Sequence, residues 1–247
     1  MISVKHSGRI GDILYSAQVM KHYATIKGSK LLYLINVNQT WKKDGSHPMN
    51  DMSKSFELLK DLFGFWGIGL EKYQGQPLDY DLDQVKVYGN AFGLPYGDIK
   101  RWYYYAFPEL NTGVNPSFLP SFTIKKEYDI IVSRSLRYQN MFVDYYAVYE
   151  KVKDKKIGFI GLDEEYSEFI EYWPTTERIL TPNYFDALLS IVSAQYFLGN
   201  QSSMFALAEV VGKKNRILEV GEPNNVIPGK GGFDFHTTEG LIYYLCQ

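Results

Sequence analysis

Cysteine is almost missing. The 247-residue chain has one, Cys246, next to its C-terminus, and this excludes an internal disulfide and any cysteine-based zinc site. An excess of one charge is missing too. The 26 Lys and Arg residues face 28 Asp and Glu residues, for a net charge of −2. A dedicated nucleic-acid binder usually carries a strongly basic footprint, so this balance argues against one. No stretch approaches the roughly 18 consecutive apolar residues of a membrane span, and Met1-Ile2-Ser3-Val4-Lys5-His6 is not a secretory leader. A soluble cytoplasmic protein without stable membrane insertion is the expectation. The four histidines, His6, His22, His47 and His236, show no ligand spacing, so no metal site is expected. There is no Gly-x-Ser-x-Gly elbow and no Walker loop.

What is present is an ordinary globular balance, 45% apolar and 22% charged, with an unusual 16% of aromatic residues and 21 tyrosines. Aromatic faces suit sugars and bases as well as cores, which hints at a ligand. The stretch Asn111-Thr112-Gly113-Val114-Asn115-Pro116-Ser117-Phe118-Leu119-Pro120-Ser121 reads as a connector. It sets the expected division at residues 1–122 and 123–247. The first part carries 13 basic and 11 acidic residues (+2), the second 13 and 17 (−4).

Each part opens with a strand and a polar loop. Ile2–His6 is a β-type run. Ser7-Gly8-Arg9-Ile10-Gly11-Asp12 is a loop, and Ile13, Leu14, Ala17, Met20 and Ala24 then recur at helical spacing up to a stop at Gly28. Leu31–Ile35 is a second strand, which completes a βαβ signature. Asn36–Asn50 is a long polar segment, read as a functional loop or lid. Ser53–Phe63 reads as a helix, and Asp98–Phe107 as another with five aromatic residues, Trp102 among them. In the second part, Tyr128–Ser133, Lys156–Gly161, Tyr196–Leu198 and Arg216–Val220 read as strands. Helices are expected from Thr181-Pro182 onward and over Ser202–Val211. The pattern is α/β with parallel sheets, and ligands of such sheets bind outside the carboxyl ends of the strands.

Three polar loops at such ends can hold chemistry. Gly8 and Gly11 let a ligand approach the backbone of the first, although the full dinucleotide fingerprint is absent. Asp12, opening the helix, has two readings: an N-cap, or a carboxylate kept ionised by the helix N-terminus and able to accept a proton. Gly199-Asn200-Gln201-Ser202-Ser203 precedes a helix and offers backbone N–H groups to an anion such as a diphosphate, with Ser202 as a plain N-cap the alternative. Ser133-Arg134-Ser135-Leu136-Arg137-Tyr138 brings two guanidinium forks, Arg134 and Arg137, suited to phosphate oxygens or to weak surface ion pairs. Asp79-Tyr80-Asp81-Leu82-Asp83 has the spacing of a hard-metal motif but reads better as capping and a solvated turn. Trp102 and its aromatic neighbours serve either as core or as a stacking surface for an acceptor.

At this point a resemblance becomes specific. Lys5-His6-Ser7-Gly8-Arg9-Ile10-Gly11-Asp12-Ile13-Leu14-Tyr15-Ser16 resembles the N-terminal loop of glycosyltransferase family 9, the heptosyltransferase-like enzymes. Phe197-Leu198-Gly199-Asn200-Gln201-Ser202-Ser203-Met204-Phe205-Ala206-Leu207-Ala208-Glu209 resembles that family's donor-site loop and helix, and Ile157–Tyr166 fits between them in order. The resemblance implies a GT-B fold, with two Rossmann-like domains whose parallel sheets face a central cleft. The acceptor would lie on the first and the nucleotide-sugar donor on the second, with no metal and no cofactor beyond the nucleotide-diphosphate sugar itself.

Carried over by position, Asp12 is the general base of a single inverting displacement. Ser7, Gly8, Arg9, Gly11 and Trp102 belong to the acceptor side. Arg134, Arg137, Asn200, Gln201, Ser202 and Ser203 attend the donor, and Glu209 is a helix carboxylate that reaches the ribose or serves packing. The implied acceptor is a glycan or lipid-linked hydroxyl. The aromatic helix and the +2 first part leave a hydroxymethylated DNA base of phage type open as an acceptor, and a non-catalytic nucleotide-sugar binder is the reading from another class. The sequence carries no expectation of oligomeric state.

Overall fold

Five-residue apolar runs between amphipathic helices fold as parallel strands with crossover helices, and the computed structural model has that form. It describes residues 1–38, 51–85, 98–112, 118, 124–221 and 224–246. Most of the Asn36–Asn50 segment and of the expected connector lies outside these. The chain forms two units, Met1–Phe118 with Pro182–Phe185, and Leu119–Thr181 with Asp186–Gln247. The short return of Pro182–Phe185 to the first unit has no counterpart in the sequence reading. No helix of the described residues is long and apolar enough to cross a membrane.

In the first unit, β1 (Ile2–His6) lies between β2 (Leu31–Ile35) and β4 (Tyr80–Asp81), and β3 (Gly69–Lys72) completes the order β3-β2-β1-β4. Every pairing is parallel. Helix α1 (Ile10–Ile26) begins three residues earlier than the apolar spacing predicts, so Gly11 and Asp12 sit inside its first turn and not in the loop. Arg9 takes the N-cap position, without a side-chain cap. Asp12 is therefore not the N-cap residue. Helix α2 (Met52–Phe65) is capped by Asp51, and α3 (Ile99–Ala106) by Asp98. The second strand's Tyr33 is fully buried and donates to Ser16 Oγ at 2.9 Å.

The Asp79–Asp83 segment turns out to join β4 to β1. Asp79 accepts from Ser3 N at 2.7 Å, and Asp81 pairs with Lys5 at 2.8 Å. Asp83 takes Ser7 N at 2.8 Å and Ser7 Oγ at 2.6 Å. Alternate carboxylates thus match alternate residues of the neighbouring strand, as a period of two requires. Among the described residues no group of acidic, histidine or cysteine side chains could hold a metal ion.

The second unit has six strands: β5 (Tyr128–Ser133), β6 (Ile157–Phe159), β7 (Glu177–Arg178), β8 (Ala194–Asn200), β9 (Arg216–Glu219) and β10 (Gly232–Phe235). They are ordered β10-β9-β8-β5-β6-β7, again all parallel. Helices α4 (Tyr145–Val152), α5 (Asp163–Phe169), α7 (Ser203–Val210) and α8 (Thr238–Leu245) cover it. Helix α6 (Tyr184–Ser193) starts two residues after Pro182 and not at it, behind a bend in which Asn183 Nδ2 donates to Asp61 at 3.1 Å. The core gathers Ile130, Val132, Phe159, Phe169, Trp173 and Leu198, and the buried indole of Trp173 donates to the Tyr145 carbonyl at 2.7 Å.

Lys213 is buried between α7 and β9, with its ammonium donating to the Ala194 carbonyl. Burial, and secondarily Lys126, pushes its pKa down to about 8. An unfolded lysine titrates near ~10.4, so between these values the unfolded chain binds the extra proton and stability rises with pH. The expected outcome is that the parent gains urea resistance from pH 7 to pH 10 relative to Lys213→Met. Parallel pH profiles for the two proteins would contradict this.

Candidate active site

In the first unit the candidate region is the β1–α1 connection and the start of α1. Ser7 is fully buried, and both its amide and its hydroxyl are bound by Asp83. Burial alone would raise the Asp83 carboxyl, but the Ser7 hydrogen bonds together with His6 and Lys5 hold its pKa below the ordinary aspartate value. Ser7 thus anchors the loop and offers nothing to a ligand. The Gly8 amide donates to His6 Nδ1 at 2.7 Å. Arg9, Gly11 and Asp12 are half-buried, as is Trp102 on α3. Beside Trp102, the buried Tyr103 donates its hydroxyl to the Asp12 carbonyl at 2.9 Å. Asp12 is the one acidic residue in the first turn of α1.

In the second unit the candidate region is formed by the carboxyl ends of β5, β8 and β9. Asn200 has no exposure, and its amide is fully used. Oδ1 accepts from Ser135 N at 3.0 Å, and Nδ2 donates to the carbonyls of Ser135 and Arg137, each at 2.7 Å. It fastens the loop after β5 to the end of β8. Arg134, 4% exposed, points inward as well. Nε and Nη2 bond Glu219 at 2.9 and 3.1 Å, Nη1 bonds Glu168 at 3.2 Å, and the guanidinium lies 4.5 Å from the Tyr145 ring centre. Burial works against its charge, yet Tyr145 and Glu219 hold its pKa above the ordinary arginine value. Glu219 also accepts from the Asn140 amide at 2.7 Å. The fork expected to meet phosphate is thus already occupied by two carboxylates.

Glu209 is likewise committed. Its carboxylate pairs with Arg216 Nε and accepts from the Gly229 amide at 2.9 Å, which ties α7 to β9 and to the turn before β10. Gln201 Oε1 accepts from the Asn225 amide at 2.9 Å. Ser202 is the N-cap of α7, with its hydroxyl facing the Phe205 amide at 3.5 Å, and Ser203 is the first helical residue. Arg137 is exposed, its guanidinium 5.4 Å from the Tyr138 ring centre. Tyr138 adopts φ +59°, an unusual value for a tyrosine.

The structure therefore brings Arg134, Arg137, Asn200 and the start of α7 to one end of one sheet. It divides them into an inner set that holds the loops (Arg134, Asn200, Glu209) and an outer set (Arg137, Gln201, Ser202, Ser203). Sequence reasoning missed Glu219, Glu168, His6 and Tyr103. A glutamate closing the apolar run Arg216-Ile217-Leu218-Glu219-Val220 was the one available signal, since a charge at the end of a buried strand needs a partner.

Two Rossmann-like units of parallel strands, each with its loops at the carboxyl ends, define the GT-B type of fold. No family model matches the sequence, and no curated protein does. Solved structures match over nearly the whole chain. The Escherichia coli ADP-heptose lipopolysaccharide heptosyltransferase II is 10% identical, covers 98% of this chain and 93% of its own, and has a TM-score of 0.61. E. coli heptosyltransferase WaaC, solved with ADP-2-deoxy-2-fluoro heptose, is 12% identical over 95% and 92%, at 0.53. A glycosyl transferase family 9 protein from Veillonella parvula is 11% identical over 96% and 86%, also at 0.53. The fold is shared with these enzymes.

Removing one partner of a buried ion pair costs about 3–5 kcal/mol, whereas replacing both with apolar groups is often neutral. Glu219→Ala is expected to destabilise the second unit by about that amount in denaturant titration. The double variant Arg134→Met/Glu219→Met is expected to recover most of it. A Glu219→Ala protein as stable as the parent would show that the pair is not the clamp described.

Proposed function

We propose that the chain is a glycosyltransferase that moves a sugar from a nucleotide-diphosphate sugar to a hydroxyl of a glycan or lipopolysaccharide-like acceptor. The observation that most supports this reading is the fold shared over almost full length with heptosyltransferases, one of them solved with an ADP-sugar analogue, together with a carboxylate in the first turn of α1 and a serine-capped helix start after β8.

The chemistry follows from those parts. Asp12 takes the proton of the acceptor hydroxyl as its oxygen bonds the anomeric carbon. The bond from that carbon to the diphosphate oxygen breaks, its electron pair leaves with the nucleoside diphosphate, and the anomeric centre inverts. Charge growing on the leaving diphosphate meets the N–H groups at Ser202 and Ser203 and the guanidinium of Arg137, so this step needs no metal. Arg134 and Asn200 act one layer below, as positioning residues for the loop that carries Arg137.

A general base contributes about 10²–10⁴-fold. Asp12→Asn is expected to keep nucleotide-sugar binding within twofold, read by thermal shift across a panel of nucleotide-diphosphate sugars, and to lose transfer by that factor. Arg137→Ala is expected to lower transfer about 10²-fold, the cost of one oxyanion donor. A parent protein that binds these sugars yet neither transfers nor hydrolyses them would be a binder and not an enzyme.

A further inference from the structure

The turn that carries Asp12 is held from within by a directional chain of hydrogen bonds. His6 closes β1 and is 2% exposed. Because the Gly8 N–H donates to Nδ1 at 2.7 Å, that nitrogen is an acceptor and the neutral ring carries its proton on Nε2. Nε2 lies 3.3 Å from Tyr103 Oη, and the Tyr103 hydroxyl donates to the Asp12 carbonyl at 2.9 Å. Burial keeps Tyr103 far above the ordinary tyrosine pKa, so it stays a hydroxyl.

The packing leaves this chain no slack. A Cβ on Gly8 would lie 2.2 Å from His6 Cε1 and 3.1 Å from Asp12 Cβ. One residue further along, Tyr33 donates to Ser16 Oγ at 2.9 Å, and Ser16 donates to the Ile13 carbonyl at 2.8 Å. Two buried tyrosines thus tie consecutive carbonyls of the first turn of α1, Tyr103 of α3 directly and Tyr33 of β2 through Ser16. Phenylalanine would fill the same space without the cost of burying a hydroxyl. What the hydroxyls add is a fixed backbone at residues 12 and 13.

We propose that Tyr103 and His6 are positioning residues of the transfer reaction, which set the direction of the Asp12 side chain by pinning its carbonyl. This role rests on the reading of Asp12 as the base. It predicts an effect on turnover and not on the donor. A misplacement of about 1 Å can cost ~10²-fold, so a partial release is expected to cost about tenfold or more.

The test measures transfer kinetics of the full chain for Tyr103→Phe, His6→Asn, Asp12→Asn and Tyr103→Phe/Asp12→Asn. His6→Asn keeps an acceptor near the Gly8 amide but is too short to reach Tyr103. Tyr103→Phe and His6→Asn are expected to lower kcat at least tenfold with the donor KM within twofold of the parent. The double variant is expected to be no slower than Asp12→Asn alone, because the pin acts only through Asp12. Full multiplication of the two losses, or a raised donor KM, would mark a merely structural role and overturn the proposal. Parent-level transfer by Tyr103→Phe, with Asp12→Asn inactive, would overturn this role and leave the base intact. Parent-level transfer by Asp12→Asn would overturn the base and the role together. Should Tyr103→Phe fail to fold, ¹⁵N imidazole shifts of His6 in the parent decide. The Nε2–H tautomer is expected, and Nδ1–H would overturn the chain of bonds.

Discussion

Parallel pairing throughout both sheets is the constraint on which the rest depends. When neighbouring strands run the same way, each chain connection leaves from the same end, and the loops and helix starts collect there. In the second unit this brings residues 133–138, 200–203 and 219 together although they are far apart in sequence. In the first it places the β1–α1 connection beside the segment after β4, so that Ser7 meets Asp83. The chemistry assigned to this chain uses only groups delivered in this way.

Those ends are costly to build, because polar groups must be buried to hold loops in place. At these strand ends the second unit pairs its buried amide, guanidinium and carboxylate groups with one another. Asn200 satisfies both halves of its amide, Arg134 spends its fork on Glu219 and Glu168, and Glu209 is matched by Arg216 and a backbone amide. Buried polar networks stabilise and specify a structure only when every member is satisfied. The outcome is an inner layer of paired polar groups that ties the loop of residues 134–138 to the end of β8, just before α7.

The architecture was legible in the sequence where periodicity was strong. The strands at 2–6, 31–35 and 128–133 and the helix near 203–210 follow from apolar runs and from the stop at Gly28. Helix starts were less legible, because capping chemistry is local but not unique. Asp12 has the residue type of an N-cap and stands inside the helix, and Thr181-Pro182 resembles a start that falls at Tyr184. Partnership was not legible at all. Arg134 and Glu219 are 85 residues apart, and Asn200 and Ser135 are 65 apart. No local pattern encodes which carboxylate will neutralise which guanidinium, so an arginine at a strand end looked like a ligand contact when it is a clamp.

The proposed transfer requires a nucleotide diphosphate at the serine-capped start of α7. Amide hydrogen exchange of the parent protein with and without a saturating nucleotide-diphosphate sugar tests it most directly. Slowed exchange is expected to concentrate at the amides of residues 201–205 and 136–139. Protection elsewhere, with those amides unchanged while the nucleotide is bound, would contradict it.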